Sequence, residues 1–229
     1  LSQDIREFEY QEKTSSGKLE ALIRMDENNE GFFKGVKEVL NSGINGIDGV
    51  LISLINFDEK YEKAVEAAIP GNLQDIIVED KEVAKKCIAF LNEKKLGRAS
   101  FLALDTIKPN RREFKADING VLGLAADLIT ADKKYQKVID FIFGGLLIVE
   151  NIDIATDILH KNLFSGNIVT LTGELVSSRG RITGGENQKS TINQIFERKK
   201  EIKILEEKVA DLKSKITEGS KKREDLSIR

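Results

Sequence analysis

The residues that could support catalysis are few in this chain. The sequence contains one histidine, His160, and one cysteine, Cys87. A nucleophilic site would need His160 as its base, but that residue follows two apolar residues in a predicted helix, so we interpret it as structural. Cys87 lies in an apolar helical stripe, which predicts a small buried side chain. One histidine and one cysteine cannot form a Cys/His metal cluster.

Two glycine-containing segments resemble nucleotide-binding motifs only superficially. The segment GGENQKST at 184–191 has Gln188 where the Walker motif requires a glycine directly before the lysine. Three earlier glycines, Gly43, Gly46 and Gly49, are spaced G-x-x-G-x-x-G, which is not the dinucleotide-binding fingerprint. The sequence therefore predicts no active site, no cofactor and no enzymatic activity for this chain.

An internal repeat predicts that the middle of the chain is built from two similar halves. Residues 49–63 and 123–137 share seven identities in fifteen positions at a spacing of 74. In each copy an aspartate, Asp58 or Asp132, precedes a predicted helix whose free amides it can cap. Each copy is predicted to run loop, helix, strand, helix, strand, and the basic segment 108–115 is predicted to link them.

The predicted strands are short, apolar and rich in branched residues, as buried strands usually are. They cover 76–78, 101–104, 146–149 and 168–171. With the helices between them, they predict an α/β (α+β) fold of two similar subdomains related by a pseudo-two-fold axis.

Heptad patterns flank this globule on both sides. Near the end of the chain one seam position recurs every seven residues and a second is filled by leucines, which indicates a coiled coil. The two sets are Ile195, Ile202, Val209 and Ile216, and Leu205 and Leu212. In the opening segment Leu1, Phe8 and Leu22 share one seam register and Ile5 and Leu19 the other, but Glu12 and Ser15 also fall on its seam. Because Thr14-Ser15-Ser16-Gly17 weakens a helix, we expect a break there.

Charge favours pairing of the two flanking helices on each other. Residues 1–30 carry four basic and eight acidic residues, a net charge of −4, whereas 197–229 carry eleven and eight, a net charge of +3. Two helices that enter and leave the same globule must be antiparallel. The alternative is that both are solvated amphipathic helices lying on the globule.

Composition limits the class of protein further. The net charge of −2 leaves nucleic-acid contact to local patches, and the single cysteine fits a reducing, cytoplasmic compartment. No apolar run reaches the length of a membrane span, so we expect no membrane contact. The chain does not begin with Met and starts within a helical pattern, from which we expect a piece of a longer protein.

The remaining concentrated signal is a glycine series near the end of the globule. Gly173, Gly180, Gly184 and Gly185 follow the spacing G-x6-G-x3-G-G within GELVSSRGRITGG. From physical reasoning alone they indicate either tight hairpin turns or a surface that another backbone approaches closely. Together with GIDGVLISLI, GRASFLALD and FGGLLIVE, this series resembles the hinge domain of structural maintenance of chromosomes (SMC) proteins.

The resemblance implies a function. It implies a homodimer in which the first half of one chain contacts the second half of the other, with Gly173, Gly180, Gly184 and Gly185 at the contact. It also implies that the hinge joins two coiled-coil arms in an ATP-driven, DNA-entrapping complex for chromosome condensation and segregation. ATP, magnesium and accessory subunits would belong to ATPase heads that this sequence lacks, and the protein would be cytoplasmic and chromosome-associated.

The resemblance also sets the expected boundaries and a candidate DNA surface. We expect a coiled-coil stub at 1–30, hinge subdomain I with its linker at 31–115, subdomain II at 116–190 and a second stub at 191–229. Candidate phosphate contacts lie in 81–98, with a net charge of +4, and in the linker, with +3. They are Lys85, Lys86, Lys94, Lys95, Arg98, Arg111 and Arg112.

Three functions remain open at this point. The first is a dimerisation module, and the second is a weak, sequence-independent DNA-binding module in which dimerisation is incidental. The third is an α/β enzyme with coiled-coil arms, which the absence of a catalytic constellation disfavours. A solvated helix face and loop are the alternative interpretation of the basic patches.

Overall fold

The computed structural model describes residues 2–69, 71–185 and 191–227, so the segment that contains Gln188 lies outside the described residues. The chain forms two compact units, a pair of long terminal helices and a globule that begins at Phe32. The helices are α1 (Ser2–Glu27), α2 (Lys34–Leu40), α3 (Leu51–Leu54), α4 (Glu62–Ala68), α5 (Lys81–Lys94), α6 (Ala125–Leu128), α7 (Gln136–Phe143), α8 (Ile152–His160) and α9 (Thr191–Ser227). The strands are β1 (Ile47–Val50), β2 (Ile55–Asn56), β3 (Ile76–Val78), β4 (Phe101–Ala103), β5 (Val121–Leu124), β6 (Thr130–Ala131), β7 (Leu146–Val149), β8 (Asn167–Thr170), β9 (Leu175–Val176) and β10 (Ile182–Thr183).

The long helices α1 and α9 form an antiparallel pair. Asp26 is 3.1 Å from Arg198, and Glu12 is 3.8 Å from Lys213, so residue numbers rise along one helix as they fall along the other. The buried residues of α9 follow the alternating spacing of three and four that defines a coiled-coil seam. They are Ile195, Arg198, Leu205, Val209 and Leu212. The predicted antiparallel coiled coil is confirmed, with one charged residue added to its seam.

The predicted break at residues 14–17 is wrong, because α1 continues through them. Ser15 is buried in the seam. The hydroxyls of Thr14 and Ser16 each donate to an oxygen four residues earlier, at 2.9 Å, so they are satisfied within the helix. Gly17 costs roughly 1 kcal/mol relative to alanine in a helix interior. Packing against α9 stabilises the helix by more than this local cost.

The first half of the globule contains a three-stranded sheet in the order β1-β3-β4. Strand β3 is antiparallel to β1 and parallel to β4. Helix α5 crosses between β3 and β4 and is capped by Asp80, whose carboxylate accepts from the amides of Glu82 and Val83, both at 2.8 Å. Cys87 lies on its buried face, as predicted, and burial raises the pKa of the thiol.

The second half repeats this arrangement. Strand β7 is antiparallel to β5 and parallel to β8. Each half has a bulge in its first strand beside an equivalent glycine, Gly49 with a φ of +137° or Gly123 with a φ of +133°. Asp58 and Asp132 each accept from the backbone amide two residues later, at 3.1 and 3.0 Å. The two-copy α/β architecture is confirmed. The predicted order lacks β1 and β5, which precede the first predicted helix in each copy.

The two halves join through the short strands β2 and β6. These strands are antiparallel, with Ile55 opposite Ala131 and Asn56 opposite Thr130. Asn56 and Thr130 are equivalent in the repeat, because they are separated by its spacing of 74. The pseudo-two-fold axis therefore passes between these two residues.

The predicted linker packs against the second half. Residues 108–115 form neither helix nor strand, but the Phe114 ring lies edge-on to Phe164, with centroids 6.0 Å apart. Phe164 belongs to the hydrophobic core of that half, with Leu147, Ile158 and Ile168. The linker is therefore anchored by burial of an aromatic ring, and the division into four segments stays a prediction.

Candidate functional site

The glycine series lies on the hairpin of β9 and β10, at one edge of the second sheet. That sheet has the strand order β10-β9-β8-β7-β5, so β10 is an edge strand. Gly180 closes the hairpin turn: its φ is +87°, and its amide donates to the Ser177 carbonyl at 2.9 Å. This conformation favours glycine. The hairpin-turn interpretation is therefore confirmed for Gly180.

Within the described residues, three glycines at this edge have little or nothing of their own chain beside them. A β-carbon placed on Gly180 or Gly185 would meet none of the described atoms within 4 Å. On Gly184 it would meet only the Glu174 side chain, with the nearest carbon at 3.2 Å. A β-carbon at Gly184 therefore requires the Glu174 side chain to shift by a few tenths of an ångström. Gly173 differs, because its β-carbon would lie 3.5 Å from Ala67 of α4, within the same globule.

The turn that leads into this hairpin is held by a network of hydroxyls and one carboxylate. Thr170, which is fully buried, and Thr172 both donate to Glu174, with the Thr172 bond at 2.6 Å. Hydrogen bonds from Thr170 and then Thr172 lower the pKa of Glu174. The base of the hairpin is therefore fixed, whereas its outer strand presents Ile182 with 55% of its surface exposed.

The two halves differ at this edge. Strand β4 in the first half corresponds to β8 in the second. The outer edge of β8 is covered by β9, but β4 is the last strand of its sheet. Among the described strands, β4 and β10 thus both have an outer edge with no neighbouring strand. Such edges are available for pairing with another chain.

Sequence reasoning missed Ile182 and β4 as parts of this site. Ile182 is an apolar residue between two glycines of the series, and such a residue in a turn-rich segment is a recognisable signal. Whether the outer edge of β4 lacks a neighbouring strand depends on contacts between residues far apart in the chain, which the local sequence does not show.

The candidate DNA contacts on α5 and the loop after it are spread over an exposed surface. Lys85, Lys86, Lys94, Lys95 and Arg98 are all exposed. Lys85 pairs with Glu82 at 2.8 Å, and Lys94 lies 4.7 Å from the centre of the Phe90 ring. The structure places these cations along one helix and the loop that follows it. Their contact with DNA stays a prediction.

The two linker arginines have opposite surroundings. Arg111 pairs with two carboxylates, Asp127 and Asp140, and the hydrogen bond with Asp127 is the main cause of its raised pKa. Arg112 donates from its Nη1 atom to the Ser165 hydroxyl. Within the described residues Arg112 has no carboxylate partner.

The residues considered for catalysis are separated. Cys87 is buried in the first half, whereas His160 is exposed at the last position of α8 in the second. Within the part of the chain that the structure describes, no cluster of three or more histidine, cysteine or acidic residues could hold a metal ion. In the same part, no helix contains an apolar stretch of membrane-spanning length.

The chain therefore contains a duplicated α/β globule, whose second sheet ends in an open edge, and an antiparallel coiled coil. The family model described as "SMC proteins Flexible Hinge Domain" matches residues 44–159. The chain belongs to this family of SMC hinge domains, a non-catalytic region of SMC proteins.

Individual relatives agree with this assignment. The "Chromosome partition protein Smc" of Fusobacterium nucleatum subsp. nucleatum is 96% identical over 209 residues, which are 91% of this chain and 18% of that protein. The chain spans less than a fifth of the length of the curated relatives it matches.

Solved structures show the same fold. The Geobacillus stearothermophilus SMC hinge domain, described as an asymmetric dimer, superposes with a TM-score of 0.88 at 26% identity, covering 99% of this chain and 95% of that chain. The Pyrococcus furiosus SMC hinge domain gives a TM-score of 0.57 at 35% identity, covering 75% and 89%.

Proposed function

We propose that this chain is a homodimerisation hinge that joins two SMC coiled-coil arms. The observation that carries the proposal is the open edge of β10, where Gly180, Gly184 and Gly185 leave room for a second backbone. Pairing of β10 in one copy with β4 in the other would give both open edges a partner. A two-fold axis would generate this contact twice and close the assembly as a ring.

The dimer of the Geobacillus stearothermophilus hinge supports self-association of this chain. In the proposed dimer of this chain, Gly173 would act from within its own chain, because its φ of +95° favours glycine in the turn after β8. The glycines of the hairpin would face the partner. The sequence prediction placed Gly173, Gly180, Gly184 and Gly185 together at the contact. The proposal keeps the last three there and assigns Gly173 to the turn within its own chain.

The wider role follows from the relatives. Chromosome partition proteins of the Smc type support a function in chromosome condensation and segregation by an ATP-driven, DNA-entrapping complex. The hinge would hold two arms together, whereas ATP, magnesium and accessory subunits would act at heads outside this chain. We place such a complex in the cytoplasm, associated with the chromosome.

Substitution of the hairpin glycines tests the dimer. The double variant Gly184→Ala/Gly185→Ala is expected to be monomeric at micromolar concentration in analytical ultracentrifugation, because each β-carbon occupies space needed by the partner. Gly43→Ala is the matched control, since Gly43 has a φ of +71° and no atom within 4 Å of a β-carbon, as at Gly185. A double variant that stays dimeric would contradict the assignment.

A weak, sequence-independent DNA contact is the second candidate function. The exposed cations of α5 support it, and counterion release makes such binding strongly dependent on salt. A gel shift with duplex and single-stranded DNA at low and raised salt tests it. No shift at low salt would remove this role from the chain.

A further inference from the structure

A polar pocket of about 260 Å³ lies in the globule beside the linker. Its polar side chains come from the linker, from the loop before β8 and its first residue, and from the turn between β9 and β10. They are Asn110, Arg112, Ser165, Asn167 and Ser178. The described lining includes one cation and no carboxylate. The pocket therefore carries a local positive charge that its own walls do not neutralise.

The hydrogen bonds of Arg112 leave one side of its guanidinium group available. Nη1 donates to the Ser165 hydroxyl, and the backbone amide of Arg112 donates to the Gly144 carbonyl at 2.8 Å, which fixes the chain at this residue. Within the described residues, no acceptor is bound to Nε or Nη2. These two groups point in parallel and form the edge with which arginine binds phosphate or carboxylate oxygens bidentately.

A glycine keeps the space next to this edge open. A β-carbon on Gly145 would lie 3.5 Å from Nε of Arg112 and 3.8 Å from its Cδ. The absence of a side chain at Gly145 therefore lets another group approach the guanidinium. Asn167 already accepts from the Ser178 amide through Oδ1, at 3.2 Å, so its Nδ2 group remains as a donor.

Arg111 shows what a structural arginine looks like in the same segment. Its charge is balanced by salt bridges to Asp127 and Asp140, which hold the linker against the second half of the globule. Arg112 is the next residue, is half-buried and lacks such a partner. A cation removed in part from water gains more from an anion than an exposed lysine does.

We propose that Arg112, with Ser165 and Asn167, forms a binding site for a phosphate-type oxyanion. The ligand is a free phosphate or the phosphate group of a nucleic acid, because both present the same oxygens to the guanidinium edge. The site does not depend on the dimerisation proposed above, whereas its nucleic-acid ligand rests on the weak DNA contact proposed as the second function, for which Arg112 is a predicted contact. It also separates Arg112 from Arg111, which becomes a residue that anchors the linker.

Titration of the isotopically labelled chain by NMR tests the site. Inorganic phosphate at constant ionic strength is expected to shift the amide resonances of Gly145, Gly166 and Ser178 in a saturable manner. Short single-stranded DNA with and without a 5′-phosphate forms the other arms. Shifts at lower DNA than phosphate concentration would identify nucleic acid as the source, whereas equal or weaker binding would identify the free anion.

Two variants remove the site in different ways. Arg112→Gln is expected to weaken phosphate binding roughly tenfold or more, since a hydrogen bond to a charged group is lost. Gly145→Asp is expected to abolish binding, because the new carboxylate neutralises Arg112 from within the chain and leaves the fold intact. Lys115→Gln is the control, since Lys115 is an exposed linker cation paired with Glu113 at 2.7 Å.

The proposal is overturned by any of three results. The first is the absence of saturable shifts at these amides with every ligand. The second is unchanged binding in Gly145→Asp, which would show that the anion binds elsewhere. The third is resonances that respond only to protein concentration, because they would assign Arg112 to contact with a second copy.

Discussion

Replacement of Ile182 by threonine should weaken the dimer without weakening the monomer. Ile182 lies on the edge strand β10, and 55% of its surface is exposed in the single chain. Threonine keeps the branched shape that suits a strand but loses most of the apolar surface. If a second copy covers this edge, the exposed part of Ile182 becomes buried only in the dimer.

The size of the effect follows from the exposed fraction. Complete burial of an isoleucine side chain contributes about 1.5–3 kcal/mol, so burial of the remaining half contributes about 0.8–1.6 kcal/mol. A two-fold dimer contains two such residues, which gives about 1.6–3.3 kcal/mol in total. The dissociation constant should therefore rise roughly 15- to 200-fold.

Sedimentation equilibrium over a range of concentrations measures this change, and thermal unfolding of the diluted chain reports on the monomer. Ile204→Thr is the matched control, because Ile204 is 52% exposed but lies on α9, outside the globule. Its dissociation constant should equal that of the unchanged chain. An Ile182→Thr constant within about threefold of the unchanged chain would refute burial of this residue in the dimer.

Three further predictions concern stability. Asp26→Ala should lower the free energy of unfolding in urea by about 1–3 kcal/mol, because it removes the carboxylate paired with Arg198, which is only 7% exposed. Arg198→Leu should be neutral or stabilising. Equal losses of unfolding free energy in the two variants would contradict this prediction. Burial raises the pKa of Asp75 above its ordinary 3.8. Protonated Asp75 therefore adds its full contribution to the free energy of unfolding below pH 3.8, and this contribution is lost as pH rises through the folded pKa. The urea midpoint of Asp75→Asn should lack that loss, and a pH profile parallel to that of the unchanged chain would contradict the prediction. Gly17→Ala should stabilise α1 by about 0.5–1 kcal/mol. Gly219→Ala should gain less, because its β-carbon would lie 2.9 Å from Ile5. Thermal unfolding followed by circular dichroism measures both, and a higher melting temperature for Gly219→Ala than for Gly17→Ala would contradict the prediction.

Local patterns in the sequence were sufficient for much of the fold. The heptads of α9 predict its seam because a helical period is a property of neighbouring residues. The repeat predicts two halves because aligned identities require no knowledge of contacts. The buried strands β3 and β7 coincide with the predicted 76–78 and 146–149, since fully buried strands are continuous apolar runs.

The errors occur where tertiary contacts decide the structure. The break predicted at 14–17 followed local propensity, but α9 supplies the packing that keeps α1 continuous. Strands β1 and β5 have only four residues each, with a bulge at Gly49 or Gly123, and so show no regular alternation.

The candidate site divides in the same way. Glycine spacing in the sequence located the hairpin, because positive φ angles at Gly180 and Gly185 restrict the residue type. The difference between Arg111 and Arg112 could not be predicted, since it depends on Asp127, Asp140 and Ser165, which lie far along the chain.

The antiparallel order of α1 and α9 also determines how the pair would respond to force. Tension that pulls apart the start of α1 and the end of α9 would separate the two helices one layer at a time, beginning at that end. The first layers contain Ile5, which is buried and packs against Gly219. The last contains the ion pair of Asp26 and Arg198. Opening under tension should therefore transfer the buried Ile5 to water first and separate the ion pair last.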